Sequence, residues 1–308
     1  MKSKELSNYL ERLRAARNIS QESFTNGITS LRQYRRYLSG ESDLPFQVID
    51  KLCERLGIQT INLIRELETA RIEESKAVDA FYNDVIYNNK ERIDKTIKEY
   101  HGKTFIDIEN RLMYEHSIII NDYFNQKITS EVATQKNKEL IHFDKIGKKL
   151  IFTQTEMLIL TSLLDLNATD QEKSIIAQRL KTFLTDSSQV LNASVNFALP
   201  IVLFRLAKYW GTQSQYNEVI AYTELAINHG LSIKNCYLLE YFFYYNALAS
   251  YRLGNFDQYE MMLSKCFVVL QLDGNKRKIE KFTNMINEDF NISFQDFVFN
   301  YFNKKSTS

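Results

Sequence analysis

The stretch SLRQYRRYLSG, residues 30–40, contains three arginines, two tyrosines and a glutamine. Ser30 can cap the start of a helix and Gly40 can end one, so the stretch predicts one short helix. At helical spacing, Leu31, Tyr34 and Leu38 form a stripe that faces the rest of the protein, and Tyr37 lies at its border. The outward positions carry Arg32, Gln33, Arg35 and Arg36.

The outward face has the chemistry of a surface that reads DNA. An arginine side chain can bind guanine through two hydrogen bonds, and a glutamine can bind adenine in the same way. Ser30 and Gln21 lie at predicted helix N-termini, where backbone N–H groups favour phosphate. The competing interpretation is a solvated charged face, and the elements around the helix decide between the two.

Four further helices surround the helix at residues 31–38. The first is predicted over residues 3–17, the second follows the N-cap Ser20, the fourth opens at Pro45 and the fifth begins near Ile61. Five short helices in about 70 residues, with the third carrying the polar face, have the order of a helix-turn-helix domain.

This segment resembles the Xre/lambda-repressor type of DNA-binding domain over about residues 3–67. The resemblance rests on YLERLRAARNISQESF (residues 9–24) and SLRQYRRYLSGESDLPFQVIDKLCERLGI (residues 30–58). The family's motif positions are matched by Ser20, Gln21, Gly40, Glu41 and Pro45. The resemblance implies that the third helix enters the major groove of double-stranded DNA. The residues expected to contact DNA are Gln21, Ser30, Arg32, Gln33, Arg35 and Arg36.

The distribution of charge agrees with an anionic partner for the N-terminal segment. Residues 1–40 carry eight basic and three acidic side chains, whereas the whole chain has a net charge of +1. A positive head on a slightly acidic body favours binding of an anion by the head. The apolar runs are far shorter than a membrane helix, and no signal-peptide run is present. We therefore expect no membrane partner and a cytoplasmic location.

The scarcity of turn residues predicts an all-α chain. Only two prolines and nine glycines occur in 308 residues, too few for the turns of an all-β fold. Beyond the head, longer amphipathic helices alternate with short polar turns. We therefore predict a helix-turn-helix domain at residues 1–68, a charged helical linker at 69–76 and a TPR-like helical-repeat domain at 77–308.

The repeat is visible in two segments of the C-terminal half. RLAKYWGTQSQYNEVIAYTELAINHG (205–230) and NALASYRLGNFDQYEMMLSKCFVVLQ (246–271) share an apolar helix, a glycine, an aromatic residue and a second helix. The aromatic residues Tyr216 and Phe256 lie 40 residues apart, within the range of helix-pair solenoids. YNNKERIDKTIKEY (87–100) is interpreted as a degenerate earlier copy.

A helix-turn-helix head followed by a helical-repeat body resembles the RNPP family, the Rgg/PlcR/PrgX class of peptide-responsive regulators of Gram-positive bacteria. The resemblance implies a homodimer that binds an inverted-repeat operator and senses a short quorum-sensing peptide. An extended peptide needs amide or cationic side chains to satisfy its backbone. The candidates are Asn192, Asn196, Arg205, Tyr241, Tyr245 and Asn246. Capping or solvent exposure of the asparagines, and core packing of the tyrosines, are the competing interpretations.

Enzyme and metal motifs are missing from the sequence. The four histidines are scattered without a His-Glu-x-x-His pattern, and no glycine-rich phosphate loop occurs. We therefore expect no catalytic residue, no metal and no cofactor. Two alternatives to the peptide-sensing regulator stay open: a phage or mobile-element repressor without a peptide effector, and a TPR-type adaptor whose head no longer binds DNA.

Overall fold

The structure, a computed structural model, describes residues 3–149, 151–185 and 198–306. All regular elements within these ranges are helices, which confirms the predicted all-α class. None of the helices in the described ranges is long and apolar enough to cross a membrane. The chain divides into two compact units between Ser117 and Ile118.

The first unit contains the predicted head and two further helices. Its elements are α1 (Ser3–Ala16), α2 (Gln21–Thr25), α3 (Leu31–Ser39), α4 (Phe46–Arg55), α5 (Thr60–Ile86), α6 (Lys90–Tyr100) and the first part of α7 (Ile108–Phe124). The helices predicted before residue 58 are confirmed. We call α1–α4, together with the first two turns of α5, the head.

The core of the head is built from apolar residues of all five of its helices. The most enclosed of them are Leu6, Leu10, Phe24, Tyr34, Leu52, Cys53 and Leu63. Burial of a large apolar side chain stabilises a fold by roughly 1.5–3 kcal/mol. A core that draws on every helix holds α3 in one orientation.

One prediction about α3 was wrong. Tyr37, expected at the border of the inward stripe, is only 6% exposed, whereas Leu31 and Leu38 are half-buried. The reason is that α3 packs against both α1 and α2. A helix with neighbours on two sides buries a wider stripe than the sequence period alone indicates.

The fifth helix is longer than predicted. It was expected to be short, but α5 continues for 27 residues, through residues 69–76. That segment contains neither glycine nor proline, so nothing in it ends a helix. The compact first unit therefore includes α6 and the start of α7 as well as the head. The domain boundaries themselves stay a prediction.

The second unit continues with helices to the end of the described residues. Its elements after α7 are α8 (Ser130–Leu140), a 3₁₀ helix (Phe143–Lys148), α9 (Gln154–Asp165), α10 (Asp170–Thr185), α11 (Ala198–Thr212), α12 (Tyr216–Ser232), α13 (Leu239–Arg252), α14 (Phe256–Asp273), α15 (Lys276–Phe290) and α16 (Phe294–Ser306). Successive helices from α11 to α14 pack on one another, as expected for stacked helix pairs.

The same turn joins the two helices of each predicted repeat. Ser214 between α11 and α12 and Gly254 between α13 and α14 both have left-handed backbone conformations, with φ of 55° and 77°. Asn88, between α5 and α6, has φ of 54°. In each case the next residue donates its N–H to a carbonyl five residues earlier. The same geometry ends α1, α4, α7 and α12, so it is a general helix end in this chain, and the interpretation of residues 87–100 as a further copy stays a prediction.

Candidate functional site

The first candidate site is α3, whose ends are defined by local hydrogen bonds. The hydroxyl of Ser30 accepts a hydrogen bond from the Gln33 N–H at 3.2 Å. Gly40 ends the helix with φ of 83°, and its N–H donates to the Arg36 and Tyr37 carbonyls. The predicted N-cap and terminator are therefore confirmed, and the helix has the length that the sequence indicates.

The inward face of α3 is held by two tyrosines. The ring of Tyr34 is completely buried and makes an edge-to-face contact with Phe24, with ring centroids 5.7 Å apart. Its hydroxyl donates a hydrogen bond to Glu11 Oε2 at 2.9 Å. Burial, followed by this hydrogen bond, raises the pKa of Tyr34 well above its usual range. The contacts of Tyr34 with Phe24 and Glu11 therefore fix the rotation of α3 about its axis.

Glu11 links three helices of the head. Its carboxylate accepts hydrogen bonds from Arg14 at 2.6 and 2.8 Å, from Gln21 at 2.7 Å and from Tyr34. These bonds, with that from Arg14 the strongest, lower the pKa of Glu11 to about 2 despite partial burial. Arg14 also donates to the Ile19 carbonyl. The carboxylate therefore joins α1 to the starts of α2 and α3.

The outward face of α3 exposes its arginines. Arg32, Arg35 and Arg36 are all exposed, and they line an open depression together with Leu31, Ser39 and Glu41. Arg36 lies 3.6 Å from Glu41 and donates to Gln33 Oε1 at 3.4 Å. In the part of the chain that the structure describes, neither Arg32 nor Arg35 has an ion pair or a side-chain hydrogen bond. Two guanidinium groups per head are therefore available to an anionic or hydrogen-bonding partner.

The two remaining residues predicted to contact DNA lie beside α3. Gln21 is the first residue of α2, and its amide donates to Glu11, so it already has a structural role. Ser30 is exposed at the start of α3. The structure thus brings all six predicted residues to α3 and the start of α2. Their contacts with DNA stay a prediction.

Two supporting residues were not recognised in the sequence. Arg55, at the end of α4, donates to the carbonyls of Ser23, Phe24 and Asn26 at 2.6–3.1 Å. It thereby provides a hydrogen-bond donor for the carbonyl groups at the end of α2 and holds the turn before α3. Glu11 is the second, and its only sequence signal is the Arg14 three positions later. Arg55 has no sequence signal because its partners are backbone atoms about 30 residues away.

The second candidate site is an aromatic surface on α11, α13 and α15. The ring of Tyr241 makes edge-to-face contacts with Phe204 and Phe282, with centroids 5.1 and 4.7 Å apart. The Lys281 amine lies 5.4 Å from the centroid of the Tyr241 ring and donates to its hydroxyl at 3.0 Å. Tyr245 packs against Phe204, and burial raises its pKa. Tyr241 and Tyr245 are both half-buried, so part of each ring faces solvent.

Arg205 lies within the packing of the same unit. It is 8% exposed, and its guanidinium donates to the Leu158 carbonyl at 3.1 Å and lies 3.4 Å from Asp165. Lys208 pairs with the same carboxylate at 2.7 Å. Asp165 is therefore neutralised by two cations, and Arg205 joins α11 to α9.

Asn246 lies deepest among the predicted peptide residues that the structure describes. Its side chain is 0% exposed and donates to the Thr223 hydroxyl at 2.9 Å. Its oxygen accepts from Ser250 and Gln258, both at 3.4 Å. We therefore leave Asn246 out of the proposed peptide site. Asn192 and Asn196 lie outside the described residues, and the part of the peptide site that they were predicted to form stays a prediction.

Comparison with known proteins bears on the fold. No protein-family model and no curated protein matches this chain. Among solved structures, ComR from Streptococcus thermophilus, in complex with DNA and its signalling peptide ComS, is similar with a TM-score of 0.55 and 14% identity, over 92% of this chain and 99% of that chain. ComR from Streptococcus vestibularis, in complex with its cognate signalling peptide XIP, is similar with a TM-score of 0.54 and 17% identity, over 94% and 99%.

A third solved structure, that of PlcR, is similar over most of this chain as well. PlcR from Bacillus thuringiensis, in its apo form, is similar with a TM-score of 0.53 and 16% identity, over 89% of this chain and 98% of that chain. All three similarities extend over both the head and the helical repeats. The resemblance seen in the sequence is confirmed at the level of the fold. This chain has the fold of the RNPP-type regulators ComR and PlcR, a helix-turn-helix domain followed by a TPR-like helical-repeat domain.

Proposed function

We propose that this chain is a sequence-specific, DNA-binding transcriptional regulator that acts as a homodimer and whose helical-repeat domain senses a short signalling peptide. The observation that carries the proposal is the exposed arginine face of α3 on a helix-turn-helix core. A regulator of this kind has no catalytic site, and it acts in the cytoplasm, where its operator is.

The geometry of α3 suits the major groove. Burial of Tyr34 and Tyr37 fixes the helix, so its exposed arginines project together toward one ligand. Arginine binds guanine edges and phosphates, and Gln33 on the same face suits adenine. A symmetric dimer presents two such helices and therefore reads an inverted repeat. The Arg36–Glu41 pair is exposed and worth less than about 1 kcal/mol, so DNA can replace Glu41 as the partner of Arg36.

The peptide part of the proposal is supported by the solved ComR complexes, which contain signalling peptides. In this chain Tyr241 and Tyr245 on α13 are partly exposed and carry hydroxyl groups. An extended peptide lying across the first helices of successive repeats would meet these groups. Arg205 on α11 is 8% exposed and already bound to the Leu158 carbonyl and Asp165, so it is left out of the proposed peptide site as Asn246 is. Asn192 and Asn196 stay predicted members of the peptide site.

The DNA-binding role is tested with duplexes that the wild-type protein selects from a random library. Replacement of both Arg32 and Arg35 by alanine should weaken binding to the selected duplex at least tenfold, because each base-contacting arginine contributes about 1–3 kcal/mol. Arg277→Ala, which removes an exposed cation from α15, is the matched control and should bind as the wild type does. An undiminished affinity of the double variant in a gel-shift titration would exclude α3 as the recognition helix.

The same assay separates the alternatives. Synthetic peptides encoded by small reading frames beside the gene should raise the thermal midpoint of the protein and change its affinity for the selected duplex. A chain that selects a duplex but responds to no such peptide would be a repressor without a peptide effector. A chain that selects no duplex at all would be an adaptor of the repeat type.

A further inference from the structure

Arg71, on α5, is at the centre of an ionic cluster that joins three separate parts of the first unit. Its guanidinium lies 2.9 Å from Glu5 of α1, 3.3 Å from Glu68 of α5 and 3.2 Å from Asp107, just before α7. The Arg71 side chain is only 22% exposed, so water screens the charges of the cluster only in part. We call these four residues the Arg71 cluster. It connects the head to the segment that leads into α7.

Glu74, one helical turn beyond Arg71, holds the same segment by hydrogen bonds. Its carboxylate accepts the N–H groups of Ile106 at 2.9 Å and of Asp107 at 3.3 Å. It also accepts the side-chain amide of Asn110, at the start of α7, at 2.8 Å. Residues 106–110 are therefore hydrogen-bonded to α5 one turn from Arg71, the residue that pairs with Glu5 of α1.

Arg71 is essential to the Arg71 cluster because it is the one cation among the four residues. One guanidinium pairs with three carboxylates and offsets only one of their charges, and a fourth carboxylate, Glu74, lies one turn away. Arginine suits this position because its planar fork donates in several directions at once, which a lysine cannot do. Removal of Arg71 leaves carboxylates on α1, on α5 and before α7 that repel one another, and partly buried unpaired charges are costly. The loss would loosen α1 and residues 104–110 together.

Resting on the proposed function, we propose that Arg71 is a positioning residue for DNA binding. It fixes the head on α5 and on the start of α7, so that each head has one orientation and a dimer accepts one spacing between operator half-sites. The continuous α5 carries this orientation along the unit. The residue touches no DNA itself, so the affinity of a single head for a single half-site does not depend on it.

Hydrogen–deuterium exchange tests the structural part without DNA. In Arg71→Met, the amides of residues 104–110 and of the second turn of α1, residues 7–10, should exchange about tenfold faster than in the wild type, because local opening becomes easier. Lys76→Met removes a cation from an exposed pair with Glu73 on the same helix and should exchange as the wild type does. Unchanged exchange in both segments of Arg71→Met would overturn the proposal.

Operators with half-sites at graded spacings test the functional part. The wild type should prefer one spacing, and Arg71→Met should lose most of that preference, about fivefold or more, because half-site separation is a geometric property of the dimer. Its affinity for an isolated half-site should stay within about twofold of the wild type. Retention of the full spacing preference, or an equal loss on the isolated half-site, would refute the assignment.

A milder variant keeps the test informative if Arg71→Met does not fold. Glu5→Gln removes only the link to α1 and leaves the Arg71–Asp107 pair in place. It should reduce the spacing preference and leave exchange of residues 104–110 unchanged, and the opposite pattern would contradict the proposal. If the wild type binds no duplex, the proposed function fails, and the exchange experiment still decides whether Arg71 fixes the head.

Discussion

At the residue scale, Glu11 shows how one side chain supports an exposed face of which it is not part. It accepts hydrogen bonds from Arg14, Gln21 and Tyr34, which belong to three different helices. A carboxylate can accept several bonds at once, and charged acceptors make the stronger bonds. Beside the apolar core, this one ionised group therefore helps to hold α3 and, with it, the direction of its arginines.

We predict that Glu11→Gln lowers the free energy of unfolding by about 1–3 kcal/mol, because Arg14 and Tyr34 lose a charged acceptor. The folded-state pKa of Glu11 lies below its unfolded-state value, so its contribution is fully present above about pH 5 and is lost as the pH falls toward about 2. Urea denaturation between pH 7 and pH 3 should show a smaller loss of stability for Glu11→Gln than for the wild type. Parallel losses in both proteins would mean that Glu11 is not ionised by this network.

At the scale of the element, the turns between paired helices are the repeated feature of the fold. Ser214 and Gly254 occupy equivalent positions 40 residues apart, and both have positive φ. Glycine adopts this conformation without a steric penalty, whereas a serine side chain is strained there. The two repeats therefore have the same left-handed backbone conformation at this turn, with a serine in one and a glycine in the other.

We expect Ser214→Gly to raise the free energy of unfolding by about 0.5–1 kcal/mol, since it relieves a left-handed serine. The reciprocal change Gly254→Ser should lower it by a similar amount, and no atom lies close enough to Gly254 to add a clash. Thermal denaturation of both variants gives the measurement. Shifts of the same sign in the two variants would show that the turns are not equivalent.

At the scale of the whole molecule, the proposed dimer would bind one duplex with two heads. Each head presents exposed arginines on α3, and binding of phosphates releases counterions from the DNA. Two identical heads on an inverted repeat release about twice as many counterions as one head on a half-site. The salt dependence of binding therefore reports how many heads are engaged.

The predicted result is a slope of log affinity against log salt that is about twice as steep for the selected inverted repeat as for a single half-site. Fluorescence anisotropy titrations between low and moderate salt measure both slopes, and Arg277→Ala should leave them unchanged. Equal slopes on the two duplexes would mean that only one head contacts the operator.

The sequence by itself determined the helices of the head, their ends and the outward face of α3. Ser20, Ser30 and Gly40 act on neighbouring backbone groups, so their effects follow from local spacing. The helical period also placed the arginines correctly, because they occupy the side of α3 that has no neighbour. The repeat was recognisable because an aromatic residue returns 40 positions later, each time after a glycine, Gly211 or Gly254.

Only the tertiary structure decided which polar and aromatic side chains are enclosed. Tyr37 is buried because α3 has two neighbours, and Asn246 is buried because α13 lies between α12 and α14. A sequence period identifies one face of a helix but does not say how many faces are covered. The Arg71 cluster likewise joins residues up to 102 positions apart, Glu5 and Asp107, and pairing over such separations depends on folding rather than on spacing.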